Sequence, residues 1–264
     1  VLTASVEEIP KAPENPDNFP EEYDKDGDGK VYIISQGESV AYMDEKEYLA
    51  WEKQVFWMPE MKIDWCELGS NKELLEEIDK NYDMEKLKRK VPRFSEDDKI
   101  NETYYNAIKT LDTTGFLPDG RYCFYIEQDG RTDVERFQEQ RAQHYSPERV
   151  AVADVDDDGT AELLFFIEGT CVRDSAEYVY RYSEEKNGFE LEFAYAGGCD
   201  YYEHGVIKAS PLHSMYSDYQ DGFWPYSVYQ YDENKKEFVE KVSVDQITNV
   251  PINSDVFPEE YDKD

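Results

Sequence analysis

The feature that most constrains the fold is an acidic loop set between two apolar runs. The stretch from Val150 to Ile167 reads VAVADVDDDGTAELLFFI, and its alternating or continuous apolar runs predict a strand on each side of the loop. Gly159 supplies a sharp turn at loop position 6. Oxygen donors fall at positions 1, 3, 5, 7 and 9, and they are Asp154, Asp156, Asp158, the Thr160 carbonyl and Glu162.

This loop predicts a cation site. Four carboxylates this close in sequence repel one another unless a cation or water screens them. Calcium takes six to eight oxygen ligands, so it is the cation that such a loop fits best. The alternative is a solvated acidic turn that joins two strands and holds no metal.

The segment VADVDDDGTAELLFF resembles the D-x-D-x-D-G-x-x-E calcium loops of the FG-GAP/VCBS type, which occur in secreted bacterial proteins. The tyrosine-rich runs at 178–182 and 229–231 are also similar to uncharacterised secreted or lipid-anchored proteins of Gram-positive bacteria. The sequence lacks the repeated blades of an FG-GAP propeller. The resemblance implies a calcium-stabilised extracellular or cell-surface module of unknown ligand, a glycan or a protein.

Charge and hydropathy narrow the classes of partner. The chain of 264 residues has 61 acidic and 28 basic residues and a net charge of −33, which disfavours binding to nucleic acid or anionic lipid. No apolar run is long enough to cross a bilayer, so we expect no membrane insertion of this segment. A secreted or surface-anchored protein would then have a signal peptide that is removed or lies outside this sequence.

A second acidic loop lies near the start of the chain. Asp24, Asp26 and Asp28 repeat the D-x-D-x-D-G pattern, and Lys30 would offer its carbonyl at position 7. Position 12 is Ser35, so the closing bidentate acid is missing. The loop therefore predicts either a weaker calcium site or a plain acidic turn. The apolar run from Val31 to Ile34 after it predicts a strand or the apolar edge of an EF-hand-like loop.

Helix signals dominate the N-terminal half. Helices are expected to begin near Asp44, Ser70, Ser95 and Thr132, each followed by apolar residues at helical spacing. The third of them carries Ile100, Tyr104, Ile108 and Leu111. A strand is expected at Arg121 to Ile126.

Strand signals dominate the C-terminal half. Phe189, Leu191, Phe193 and Tyr195 alternate with Glu190 and Glu192, which predicts apolar residues on one face and acids on the other. We therefore expect an α+β fold, with an N-terminal helical half (about 44–145) packed on a C-terminal antiparallel β-meander rich in Tyr (about 149–247). Residues 1–22 form a Pro- and acid-rich linker, 23–250 a single module, and 251–264 a tail or the start of a next repeat.

The two ends of the chain echo each other. Asn15–Asp26 and Asn253–Asp264 are identical at ten of twelve positions. We expect tandem copies in a longer polypeptide that continues past Asp264 into another acidic loop. The alternative is a duplicated tail.

Aromatic and cysteine side chains suggest further sites. One predicted site is an aromatic platform for sugar or peptide, formed by Trp224, Tyr201, Tyr202 and Tyr226. The alternative is that Trp224 simply closes the core. Cys171 and Cys199 could pair in an oxidising compartment or remain free thiols. The four cysteines and three histidines show no zinc-site spacing.

The sequence contains no nucleophile elbow, metalloprotease helix or phosphate loop, so we expect that the protein is not an enzyme. Calcium-stabilised binding of an extracellular glycan or protein is the preferred function. The alternatives are a structural spacer in a multi-module surface protein and a secreted hydrolase that uses carboxylates.

Overall fold

A computed structural model describes residues 23–68, 82–121, 149–167, 175–211 and 223–248. The chain divides into two compact units. The described part of the first unit comprises 58–68, 82–121, 149–167, 175–211 and 227–241, and that of the second comprises 23–57, 223–226 and 242–248. The linker at 1–22, both copies of the end echo except Tyr23–Asp26, and the tail at 251–264 lie outside the described residues.

The centre of the first unit is a five-stranded antiparallel meander. Its strands follow chain order, and they are β3 (Cys66–Glu67), β4 (Arg149–Ala153), β5 (Glu162–Ile167), β6 (Ala176–Ser183) and β7 (Gly188–Tyr195). Every residue of β5 is buried. The continuous apolar run LLFFI after Glu162 follows from this position, because a strand that is covered on both faces needs no polar side.

Two helices cover one face of this sheet. They are α2 (Met84–Lys90) and α3 (Asp98–Thr114), and Tyr104, Ile108 and Leu111 of α3 pack in one core cluster with Leu163 and Phe165 of β5. Large side chains buried in this way contribute about 2–3 kcal/mol each to folding. One face of β5 is therefore buried against these helices.

A second layer of strands covers the other face. Leu164 and Phe193 of the meander share a core cluster with Tyr201, Ile207 and Ala209. The strands of this layer are β8 (Gly198–Tyr202), β9 (Val206–Ser210), β10 (Tyr226–Asp232) and β11 (Glu237–Thr248), hydrogen-bonded in that order. Residues 227–241 of the last two strands belong to the first unit. The first unit is thus built as helices, sheet and sheet.

The described part of the second unit contains a hairpin, the end of β11 and one helix. Strand β1 (Lys30–Gln36) pairs with β2 (Ser39–Met43) and with Ser243–Thr248 of β11. Helix α1 (Glu45–Val55) begins after Asp44, whose side chain and Glu47 form a reciprocal capping box. The helix predicted to begin near Asp44 is confirmed.

The expected α+β fold with an N-terminal helical half is wrong. Strands make up 42% of the described residues and helices 21%, and the strands form two antiparallel sheets. The first described element is the hairpin of β1 and β2, and β1 pairs with β11, the last described strand. Tyr32, Ile34 and Ala41 are buried on one face of that hairpin, and this burial favours strands at the start of the described chain.

The remaining helix predictions have mixed outcomes. The third predicted helix is α3, which begins at Asp98 and not near Ser95, because Asp97 caps it. Helix α2 was not predicted. The helices expected after Ser70 and Thr132 and the strand expected at Arg121–Ile126 lie almost wholly outside the described residues, at 69–81 and 122–148.

Candidate metal centre

The acidic loop joins β4 to β5 in the first unit. Ala153 pairs with Glu162 at the point where the two strands enter the loop. Gly159 has a φ of +88° and Asp157 a φ of +65°. Glycine adopts such left-handed angles without strain, and aspartate tolerates them better than most residues. The two strands predicted around this loop are confirmed.

Backbone amides hold the loop carboxylates in place. The Gly159 amide donates to Asp154 Oδ2 at 3.0 Å, and the Asp158 amide donates to Asp156 Oδ1 at 3.0 Å. The Thr160 amide donates to Asp158 Oδ1 at 2.7 Å. These short-range bonds turn the carboxylates towards the inside of the loop.

Glu162 closes the loop from the first position of β5. It is 1% exposed, and its Oε2 accepts bonds from the Val155 amide at 2.8 Å and the Asp156 amide at 3.4 Å. One oxygen each from Asp154, Asp156 and Glu162 lies within 4.8 Å of the others. The loop thus brings three of the predicted ligands together.

The other two predicted ligands are placed differently. Asp158 is not a member of that three-residue group, although its carboxylate still belongs to the loop through Thr160. Thr160 is exposed. The ligand role of both residues stays a prediction.

The three carboxylates are like charges held close together. Burial, and next to it the charge of Asp156, raises the pKa of Glu162 to about 9. Burial, and also the charges of Asp158 and Asp154, raise the pKa of Asp156 to about 6. Asp154 Oδ1 is buried and has no hydrogen-bond partner among the described residues. A divalent cation would satisfy all three groups at once.

Sequence reasoning missed two residues beside this cluster. Glu192 of β7 is 5% exposed, and its Oε1 accepts a bond from the Tyr231 hydroxyl of β10 at 3.2 Å. The same hydroxyl also lies close enough to the Asp156 carboxylate to influence its pKa. Burial, and then the charge of Asp156, raises the pKa of Glu192 to about 8. Glu192 and Tyr231 therefore border the candidate site.

A β-bulge explains why Glu192 was misplaced. Val179 pairs with Phe193 and Tyr180 pairs with Leu191, so Glu192 is an extra residue without a partner on β6. Phe189 and Leu191 consequently pack in the cluster under the helices, whereas Phe193 packs towards the second layer. The expectation that the four apolar residues share one face, with Glu190 and Glu192 on the other, is wrong. The alternating sequence gives no local signal of the bulge.

A pocket of about 500 Å³ lies beside the loop. Asp156 and Asp157 contribute from the loop, and His204 from the turn between β8 and β9. His204 Nδ1 is 3.0 Å from Asp157 Oδ2. The rest of the lining comes from β10, β11 and their turn, namely Gln230, Tyr231, Asp232, Glu233, Asn234 and Lys241.

Gly205 lets the β8–β9 turn approach the loop. Its φ is +66°, and a Cβ atom at this position would lie 2.8 Å from the Asp156 carbonyl oxygen. We expect Gly205→Ala to lower the free energy of unfolding by about 1–2 kcal/mol from the left-handed backbone alone, and to lower calcium affinity because the clash moves Asp156. Urea unfolding and calcium titration measure the two effects.

Gly37→Ala is the matched control, since Gly37 has a φ of +59° with open space around its Cβ position. It should lose stability through the same strain but keep the parent's calcium affinity. Equal calcium affinities in the parent and Gly205→Ala would contradict this account of the turn.

The second predicted site lies in the second unit. Asp24, Asp26 and Asp28 each place one oxygen within 4.8 Å of the others. The Gly27, Asp28 and Gly29 amides donate to Asp24, and the Lys30 amide at the start of β1 donates to Asp28. Asp26 and Asp28 are exposed, so water can screen them. This loop stays a weaker candidate.

The four predicted aromatic ligand residues differ in exposure. Tyr201 is 2% and Tyr226 3% exposed, with hydroxyls that donate to Glu177 and Glu52. Tyr202 is partly buried, and Trp224 is 41% exposed. Trp224 therefore has the most accessible ring of the four, and a ligand role for them stays a prediction. Cys171 lies outside the described residues, so its pairing with Cys199 also stays open.

No helix in the described parts of the chain is both long and apolar enough to span a membrane. Comparisons with protein-family models, with curated proteins and with solved structures find no match to this chain.

Proposed function

We propose that this protein is a calcium-binding module in which one ion, held by the β4–β5 loop, stabilises the first unit. The ligands would be Asp154, Asp156, Asp158, the Thr160 carbonyl and Glu162. The observation that carries the proposal is the approach of three carboxylates to within 4.8 Å of one another, with Asp156 and Glu162 buried.

The donor set favours calcium over other ions. Every proposed ligand atom is oxygen, and zinc sites usually include nitrogen or sulfur. Neither group of potential ligands found among the described residues contains histidine or cysteine. Magnesium prefers near-ideal octahedral geometry and keeps several waters, whereas a flexible loop with many carboxylates suits calcium.

A secreted or cell-surface location is part of this proposal. Extracellular calcium modules bind calcium with dissociation constants of about 10⁻⁴ to 10⁻³ M, and we expect an affinity in this range. The pocket beside the loop supports a binding role for the module. Its acidic and amide side chains suit a polyhydroxyl or basic ligand, such as a glycan or a protein surface. It would disfavour an anionic ligand, in line with the net charge of −33.

Calorimetric titration of EGTA-treated, dialysed protein with CaCl2 tests the metal site. We expect the parent to bind calcium, and Asp156→Asn to bind it at least about tenfold more weakly because a buried anionic ligand is lost. Asp157→Asn is the matched control. It removes the same charge from the neighbouring position and keeps a side chain that tolerates the φ of +65°.

The control should bind calcium within about twofold of the parent, because an exposed charge one position away contributes little. Absence of calcium binding by the parent would reject the proposed function. Equal loss of affinity in the two variants would reject Asp156 as a ligand.

A further inference from the structure

The bulge at Glu192 carries an acidic side chain into the first unit beside the calcium loop. The side chain has no exposed surface. Charged side chains are rarely buried in this way unless they are paired. A bulge re-aims one side chain while the rest of the strand keeps its pairing. The placement of Glu192 is therefore specific to this residue.

The two oxygens of Glu192 have different surroundings. Oε1 accepts the Tyr231 hydroxyl at 3.2 Å and lies 3.2 Å from Arg181 Nε. Oε2 is buried and has no hydrogen-bond partner among the described residues. A buried acceptor that is left without a partner is costly, so Oε2 is the atom whose chemistry needs a donor or a cation.

The carboxylate of Glu192 lies near the proposed ligands. Its hydrogen-bond donor Tyr231 also contacts Asp156, and the charge of Glu192 helps to raise the pKa of Glu162. Glu192 is not a member of the group with oxygens within 4.8 Å of one another. It is thus adjacent to the cation position but outside the ring of direct ligands.

The ligand count leaves room for water. The loop offers five ligand residues, and Glu162 Oε2 is already engaged by two backbone amides. Calcium takes six to eight oxygens, so one to three positions remain for water molecules. A water on calcium donates strong hydrogen bonds, and a buried carboxylate oxygen is a strong acceptor for them.

We propose that Glu192 Oε2 accepts a hydrogen bond from a water bound to the loop cation, which makes Glu192 and Tyr231 an outer layer of this metal site. The inference rests on the proposed calcium function. Tyr231 orients Glu192, and the negative charge of Glu192 strengthens binding of the cation. Outer-layer partners of this kind typically change metal affinity by about 10–100-fold when they are removed.

Titration of the full chain with CaCl2 and with TbCl3 tests the proposal. We expect Glu192→Gln to weaken calcium binding about tenfold. Coulomb energy grows with cation charge, so the loss for Tb³⁺ should be larger, about thirtyfold. If Glu192 had a purely structural role, the substitution would lower the affinities for both ions by the same factor. Tyr231→Phe removes only the hydroxyl, and it should also weaken calcium binding, by about threefold.

Glu190→Gln is the matched control on the same strand. Glu190 also pairs with Arg181, but it lies partly at the surface and pairs with Lys186 as well, so the variant should bind both ions like the parent. If Glu192→Gln folds and binds both ions within twofold of the parent, or weakens both equally, the inference is overturned while the calcium site stands. If Glu192→Gln does not fold, parent-like calcium binding by Tyr231→Phe overturns it. A parent that binds neither ion overturns the proposed function itself.

Discussion

Calcium at 10 mM should raise the melting temperature of this protein by roughly 3–11 °C relative to the protein in EGTA. A dissociation constant between about 10⁻³ and 10⁻⁴ M gives about 1.4–2.7 kcal/mol of stabilisation at this concentration, if only the folded state binds the ion. The gain arises because the ion screens repulsion among Asp154, Asp156 and Glu162, which water cannot reach freely. Differential scanning calorimetry measures the shift.

Two comparisons make this result specific to the loop. Asp156→Asn should lose most of the calcium response, whereas Asp157→Asn should keep it. Magnesium at 10 mM provides the same ionic strength and should raise the melting temperature less than calcium does. A parent protein that melts at the same temperature in EGTA and in calcium would show that this loop does not hold a structural ion.

Without calcium, stability should increase as the pH falls from 8 to 6. The pKa of Glu162 is raised from 4.5 to about 9 in the folded protein, mainly by burial, and the pKa of Asp156 is raised from 3.8 to about 6. Between the unfolded and folded pKa values, the folded chain binds more protons than the unfolded chain. These groups therefore stabilise the fold at low pH, and that stability is lost as the pH rises through the folded pKa.

One additional proton bound by the folded state changes the free energy of unfolding by about 1.4 kcal/mol per pH unit. The expected gain between pH 8 and pH 6 in EGTA is thus about 3 kcal/mol for one such group. Urea unfolding at a series of pH values measures it. Saturating calcium should flatten the curve, because a bound cation replaces the protons.

Glu177 provides an internal reference for this experiment. Burial raises its pKa to about 7, and its oxygens accept bonds from the Cys199 amide and the Tyr201 hydroxyl. It is not part of either acidic group that could hold a cation, so its share of the pH dependence should persist in calcium. Glu177→Gln should reduce the slope that remains in calcium. Identical pH profiles in EGTA and in calcium would contradict the assignment of Glu162 and Asp156 to a cation site.

Local signals predicted local features well. Strands β4 and β5 follow from apolar runs that the acidic loop separates, and helix α1 follows from Asp44 and Glu47 at capping-box spacing. The closeness of Asp154, Asp156 and Glu162 also follows from loop spacing, because Gly159 turns the chain between them. In each case, interactions within about ten residues determine the structure.

Long-range pairings could not be predicted in this way. Strand β1 pairs with the end of β11, more than 200 residues later, and no short pattern records that choice or its register. The strand content of the N-terminal part was underestimated, because the hairpin that pairs with β11 carries only a short apolar run. Tyr231 was missed as a neighbour of the acidic loop for the same reason.

The bulge in β7 also has a consequence for the length of the chain. Strand β7 uses one residue more than β6 needs for its pairing, and that residue is Glu192. Deleting one residue inside a buried strand normally moves every later side chain of that strand to the opposite face of the sheet. If Glu192 were deleted, Leu191 and Phe193 would be adjacent in sequence and would point to opposite faces of the sheet. They already point to opposite faces in this structure. The acidic side chain beside the loop is therefore an insertion that the sheet could lose without changing its register.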